Sequence, residues 1–101
     1  MTVTSSVLYR GSASTDTNTT LFTVGSGNKA VLTNIAVSNT ASTDATFTLK
    51  LDSVEILKDV SIAKNSIAVF DLKQVLDATK MCSGGASAST VKFHISGVVI
   101  N

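Results

Sequence analysis

Few side chains in this sequence are able to do chemistry, and they are too scattered to do it together. There is one histidine (His94), one cysteine (Cys82), one tyrosine (Tyr9) and no tryptophan. Nucleophilic catalysis needs a nucleophile, a base within hydrogen-bond reach and a group that orients the base. His94 falls on the outward register of an alternating run, VKFHIS, where an imidazole reads as a surface group on a strand. A structural zinc site asks for about four ligands, and one His with one Cys does not supply them. Cys82 stands in Lys80-Met81-Cys82-Ser83 with no second thiol or imidazole nearby, and reads as a small buried apolar residue. With a single cysteine no intrachain disulfide can form. The carboxylates Asp16, Asp44, Asp52, Glu55, Asp59, Asp71 and Asp77 fall mostly in turn-like segments, where Asp serves Asx-type hydrogen bonding. Gly25-Ser26-Gly27 leads into a strand pattern, whereas a phosphate loop leads into a helix. The expectation is a non-enzyme, with no catalytic residues, no metal and no cofactor.

Binding chemistry is equally sparse. Formal net charge is +1, and the eight basic residues, Arg10 and seven lysines, are dispersed singly along the chain. Nucleic-acid binders carry a basic stripe, often with interleaved aromatics, so none is expected as a partner. A sugar-binding platform needs exposed rings, while Phe22, Phe47, Phe70 and Phe93 all fit an inward register or lie near one. Tyr9 beside Arg10 is the one pair of a type enriched at interface hot spots. No apolar run approaches the roughly 18–20 residues that cross a membrane, and MTVTSSVLYRG does not read as a secretory leader. Asn18-Thr19-Thr20, a glycosylation pattern, then reads as chance. Charged residues make up only 15% of the chain against roughly 25% in an average soluble protein. Ser, Thr and Asn take their place. Such a surface is cheaper to desolvate in an interface than a Lys/Glu surface.

The elements that position these groups have period two. Residues 39–52, NTASTDATFTLKLD, pass from a turn-prone run to strict alternation, with Phe47, Leu49 and Leu51 inward and Thr46, Thr48 and Lys50 outward. That outward row of β-prone Thr with Lys reads as wet surface or as an interface with a sister subunit. Further extended segments are expected at 2–10, 20–24, 29–39, 54–58, 59–63, 67–70 and 90–100. In 29–39, alternation puts Val31, Thr33, Ile35 and Val37 on one face. Gly97 marks a bulge or a close backbone approach. Only DLKQVLDATK hints at helix, with Asp71 as a cap and Leu72, Val75 and Leu76 at i, i+3 and i+4. SGGASAS at 83–89 reads as a loose connection. The prediction is an all-β protein, a single antiparallel β-sandwich of jelly-roll or immunoglobulin-like order, with one short helical turn near 71–78. Residues 1–19 would be a polar N-terminal strand or arm and 20–101 the sandwich domain. The chain has no proline, which removes one device for blunting sheet edges. Edges must then be covered by loops, charges or other subunits.

Three segments carry a family resemblance: LFTVGSGNKAVLTNIAVSNTASTDATFTLKL, ILKDVSIAKNSIAVFDLKQVL and STVKFHISGVVI. Together they resemble small structural proteins of tailed bacteriophages, many of which are capsid decoration (cement) proteins. Gly25-Ser26 stands where that family often has Pro-Ala, which keeps the turn and loses the proline. Ile62, Asn65, Leu72, Val75 and Leu76 meet its later pattern. The resemblance implies a virion β-sandwich assembled in the host cytoplasm, without catalytic residues, forming homo-oligomers (commonly trimers) and binding the major capsid protein. Neck, tail or fibre-base proteins share the look, and a host-surface or carbohydrate-binding module is a further alternative. Tyr9, Arg10, Thr46, Thr48 and Lys50 are the expected partner-interface residues.

Overall fold

In the last strand, alternate residues Val91, Phe93, Ile95 and Gly97 are buried, and Lys92, His94 and Ser96 between them are half-exposed. This is the signature of a sheet with one face on a core. A computed structural model describes residues 2–101. It contains eight strands: β1 (Val3–Ser12), β2 (Thr20–Thr23), β3 (Lys29–Asn39), β4 (Ala45–Leu51), β5 (Val54–Ile62), β6 (Ser66–Leu76), β7 (Met81–Ala86) and β8 (Val91–Ile100). They form two four-stranded antiparallel sheets, β1-β8-β3-β6 and β2-β7-β4-β5. β1 pairs with β8, β2 with β7, β3 with β6 and β4 with β5. This is the wind of one long hairpin rolled onto itself, the jelly-roll order, and it settles the choice that alternation left open. Phe47 from one sheet meets Phe70 and Phe93 from the other, with ring centroids 5.9 and 6.0 Å apart. Leu32, Ile35, Val37, Leu49 and Ile95 complete the centre of the core.

Several expectations are corrected, each for a local reason. The helical turn near 71–78 is absent, and residues 66–76 are β6. Val75 does not share the face of Leu72 and Leu76: Leu76 is buried and Leu72 half-buried against the core, whereas Val75 is 57% exposed. Leu72 and Leu76, spaced i and i+4, share one side of a strand as readily as one side of a helix, and Leu72-Lys73 lie opposite the single Thr33 of β3. Against β8, Thr33 is an extra residue between the partners of Gly97 and Ser96, and this bulge changes the phase of β3. Ala30 and Leu32, then Ile35 and Val37, point inward, whereas uninterrupted alternation places Val31 with Ile35. Segment 83–89 is no loose connection, because Ser83 to Ala86 lie in β7, hydrogen-bonded between β2 and β4. The expected strands 54–58 and 59–63 are one strand, β5, kinked at Asp59, whose φ is 48°. Of the two readings of the N-terminal segment, strand or arm, Val3–Ser12 is the strand: β1 is bonded to β8 along its length and is part of the sandwich, which therefore includes residues before 20.

Polar groups close the ends. Asp52 and Ser53 both have positive φ (53° and 64°), the conformation of a two-residue hairpin turn between β4 and β5. Asn39, at the end of β3, is 1% exposed. Its amide donates to the carbonyls of Thr43 (2.9 Å) and Ile62 (3.3 Å), and its side-chain oxygen accepts from the Ala41 N–H at 3.1 Å. One side chain thus ties β3 to the following loop and to the end of β5. Asn39→Ala leaves these groups unpaired in a buried place and is expected to cost about 2–3 kcal/mol in urea unfolding. A loss under about 0.5 kcal/mol would show that water replaces the amide.

Candidate functional site

The two outer faces of the sandwich differ in kind. On the β2-β7-β4-β5 sheet the chain covers itself. The N–H groups of Gly84 and Ala86 donate to the carbonyls of Thr19 and Ser14, both at 2.9 Å. At Gly85 a Cβ would lie 2.6 Å from the carbonyl oxygens of Ser14 and Asp16, so only glycine admits that segment over β7. The Lys50 Nζ donates to Asn18 Oδ1 at 2.6 Å. Thr48, expected on an outward row, is instead 4% exposed. Its hydroxyl oxygen accepts the N–H of Asp59 at 3.1 Å, which holds the left-handed kink of β5. The Thr46 N–H donates to Ser87 Oγ at 3.0 Å, and the Ser87 N–H donates to the Thr46 carbonyl at 2.8 Å. Thr48 and Lys50 are therefore engaged within the chain, Thr46 stays half-exposed, and Thr48 has no surface to offer a partner.

The outer face of the β1-β8-β3-β6 sheet carries what the other lacks. Register sets Ser5, Val98, Val31 and Val75 in one row and Val7, Ser96, Asn34 and Asp71 in the next, with Val3 and Ile100 beyond the first. At the other end Arg10, His94, Ala36 and Val69 are aligned, followed by Ser12, Lys92, Ser38 and Ile67. Val3, Val7, Ile67, Val69 and Val75 are all 55–66% exposed. These five are most of the large apolar side chains that the described residues expose. Residue type marks them only as strand formers. That they gather on one uncovered face follows from register, and no short-range pattern reveals it.

Tyr9 and Arg10 follow the bulge at Leu8 and, as consecutive residues of β1, point to opposite faces of the sheet. The Tyr9 ring packs against the core and its hydroxyl donates to the Ser12 carbonyl at 3.0 Å. Arg10 is exposed, beside His94. Six of the seven carboxylates have structural partners: Asp16 accepts from the Asn18 N–H, Asp44 from the Lys64 N–H and Asp71 from the Asn34 amide. Asp52, Glu55 and Asp77 face Lys80, Lys58 and Lys29 at 3.6–3.9 Å, exposed pairs of little energetic weight. A cleft of about 210 Å³ opens between the edges of β5 and β6, lined by Ile56, Leu57, Phe70, Asp71, Leu72 and Gln74. Sites for drug-sized ligands are larger, on the order of 300–1,000 Å³.

Cys82 is buried in β7, and burial pushes its thiol up from an ordinary 9.0 to about 12. The thiolate is the reactive form, so a thiol reagent near about pH 8 is expected to label the native protein at least ~100-fold more slowly than the unfolded chain. Comparable rates would mean that β7 opens. The folded thiol holds its proton more tightly than the unfolded one. Its contribution to stability is therefore complete below pH 9 and is lost as pH rises towards about 12.

No family model matches the chain, and no curated protein does. Among solved structures it is similar to the coat protein of Tobacco streak virus, at 14% identity and a TM-score of 0.46 over 99% of this chain and 83% of that one. It is similar to a CBM35 module from Paenibacillus barcinonensis, at 8% identity and 0.40 over 98% and 88%. It is also similar to a pentameric capsid protein from metagenomic phage sequences, at 15% and 0.35, where it spans 59% of the longer chain. The likeness is one of architecture, to viral capsid proteins and carbohydrate-binding modules alike. The strand order above defines that architecture without it.

Proposed function

We propose that this chain is a non-enzymatic structural subunit of a virus particle, a capsid decoration protein that binds itself and the major capsid protein and stiffens the shell. The observation that carries the reading is the inequality of the two faces: one is covered over β7 by the chain's own 14–19 segment and is otherwise polar, and the other is an uncovered sheet with valines in adjacent strands. Exposed apolar patches of this kind mark interaction surfaces. The resemblance of the three sequence segments to phage structural proteins supplies the setting. The carboxylates support a mechanical role, since those with partners hold turns, loops and strand edges. Such a subunit acts by burying surface across capsomer boundaries. An interface of roughly 1,600 Å² repeated over a symmetric shell resists separation without strong individual contacts.

Copy number per particle is the test, by quantitative mass spectrometry of purified virions against the major capsid protein. A count in simple ratio to the capsid protein is expected. A few copies per particle would move the chain to the neck, tail or fibre base. Absence from particles, combined with binding on a glycan array, would replace the virion reading with a carbohydrate-binding one.

A further inference from the structure

The outer face of the β1-β8-β3-β6 sheet has the size and charge layout to receive a second copy of itself. Four strands at about 4.8 Å spacing and some ten residues at about 3.3 Å rise give a face of ~600 Å². Two such faces bury about 1,200 Å², the lower bound of a standard specific interface. A flat sheet face laid on its own copy is isologous, so the two are related by a two-fold axis lying between them. That axis can run along the strands or across them.

With the axis along the strands, between β8 and β3, β8 of one copy lies on β3 of the other and β1 lies on β6. Register then sets Val98 over Val31 of the second copy and Ser5 over its Val75. Val7 meets Asp71, and Arg10, one row further on, meets Val69. The Arg10 guanidinium is therefore one row from the second copy's Asp71 carboxylate, within reach of its side chain, and this pair occurs twice. Lys92 falls on Ser38 and Lys29 on Ile100, so no charge sits on its like. Lys73, beside Asp71 on the β6 edge, faces the uncharged stretch of β1 between Ser5 and Val7. With the axis across the strands through the Ser96–Asn34 row, the two Asp71 side chains oppose each other and Val98 falls on His94. The first arrangement is favoured, because like charges directly opposed cost several kcal/mol.

We infer that this chain forms a two-fold dimer through the outer face of the β1-β8-β3-β6 sheet, with the axis along the strands, Val98 packed on Val31 of the second copy and Arg10 paired with its Asp71. This deepens the assembly reading above, on which its biological use rests. It makes the basic self-contact two-fold, where the phage resemblance implies trimers.

Sedimentation equilibrium of the full chain up to about 100 μM tests it. A reversible dimer is expected. Val98→Asp should leave only monomer, with Cys82 still protected from a thiol reagent as the control for folding. Arg10→Asp and Asp71→Arg should each weaken the dimer about tenfold, and the double exchange should restore it to within about threefold of the parent. A monomer at the highest concentration, or a Val98→Asp protein that still dimerises, overturns the inference. A double exchange no better than the singles overturns the strand-parallel axis. A dimer missing from virions would sink the virion reading and leave this contact standing, and a monomeric chain found on virions would do the reverse.

Discussion

Replacing Gly97 with alanine is expected to cost about 3 kcal/mol or more of the protein's folding stability. Gly97 lies in β8 between Ser6 of β1 and Leu32 of β3, beside the bulges of both neighbours. A Cβ built there overlaps the Val31 carbonyl oxygen and lies 3.1 Å from the Leu32 Cα. Both obstacles are backbone. β3 is hydrogen-bonded to β6 on its far side as well as to β8, so it cannot retreat without breaking a ladder. Overpacking in a closed core costs about 1–3 kcal/mol, and backbone that cannot move puts Gly97→Ala at or above the top of that range. A domain of ordinary stability has only about 5–15 kcal/mol to lose. Urea unfolding of Gly97→Ala beside Ser96→Ala separates the site from the strand. Ser96 faces outward on the same strand and its truncation should be nearly neutral. A Gly97→Ala loss below about 1 kcal/mol would mean that β3 can shift away from β8.

Phe47→Ala should cost about 3–5 kcal/mol, in the range of buried Phe truncations. The ring is 1% exposed and projects from β4 between Phe70 of β6 and Phe93 of β8. It is the side chain through which the two sheets meet edge to face. Tilted contacts of this kind add roughly 0.5–1.5 kcal/mol each to the area term. Phe47→Leu keeps most of the volume and should cost markedly less. A double-mutant cycle with Phe93→Leu should show a coupling of at least about 0.5 kcal/mol. Strict additivity would show that the two rings stabilise independently. Because the outer face of the first sheet is positioned by this packing, a Phe47→Ala protein that stays folded should also dimerise more weakly.

Much of the fold is legible along the chain because one sheet face is dry and the other wet, and strand side chains alternate between them. VKFHIS and ATFTLKL read directly as strands for that reason, and Asp52-Ser53 reads directly as a turn. Alternation fails where a bulge inserts a residue. Thr33, an extra residue against β8, changes the phase of β3, and Leu72 and Leu76 at i and i+4 fit a strand face as well as a helix face. Composition fails at Ser83-Gly84-Gly85, which reads as flexible linker. Its small residues are there because β4 and the 14–19 segment approach too closely for side chains. Both failures have one cause: what decides them is a neighbouring strand distant in sequence.

The same division holds for the candidate surface. Residue types and spacing by themselves determined an all-β sandwich and a buried cysteine. Tertiary structure alone decided the jelly-roll order, the burial of Thr48 and the engagement of Lys50. It alone gathered Val3, Val7, Val69 and Val75, from the two edge strands β1 and β6, with Val31 and Val98 between them, onto one open face. Neither that face nor its charge pattern exists along the chain. Both are products of register, the relative sliding of strands that join residues 3–12, 29–39, 66–76 and 91–100, and register is set by the core on the other side of the sheet.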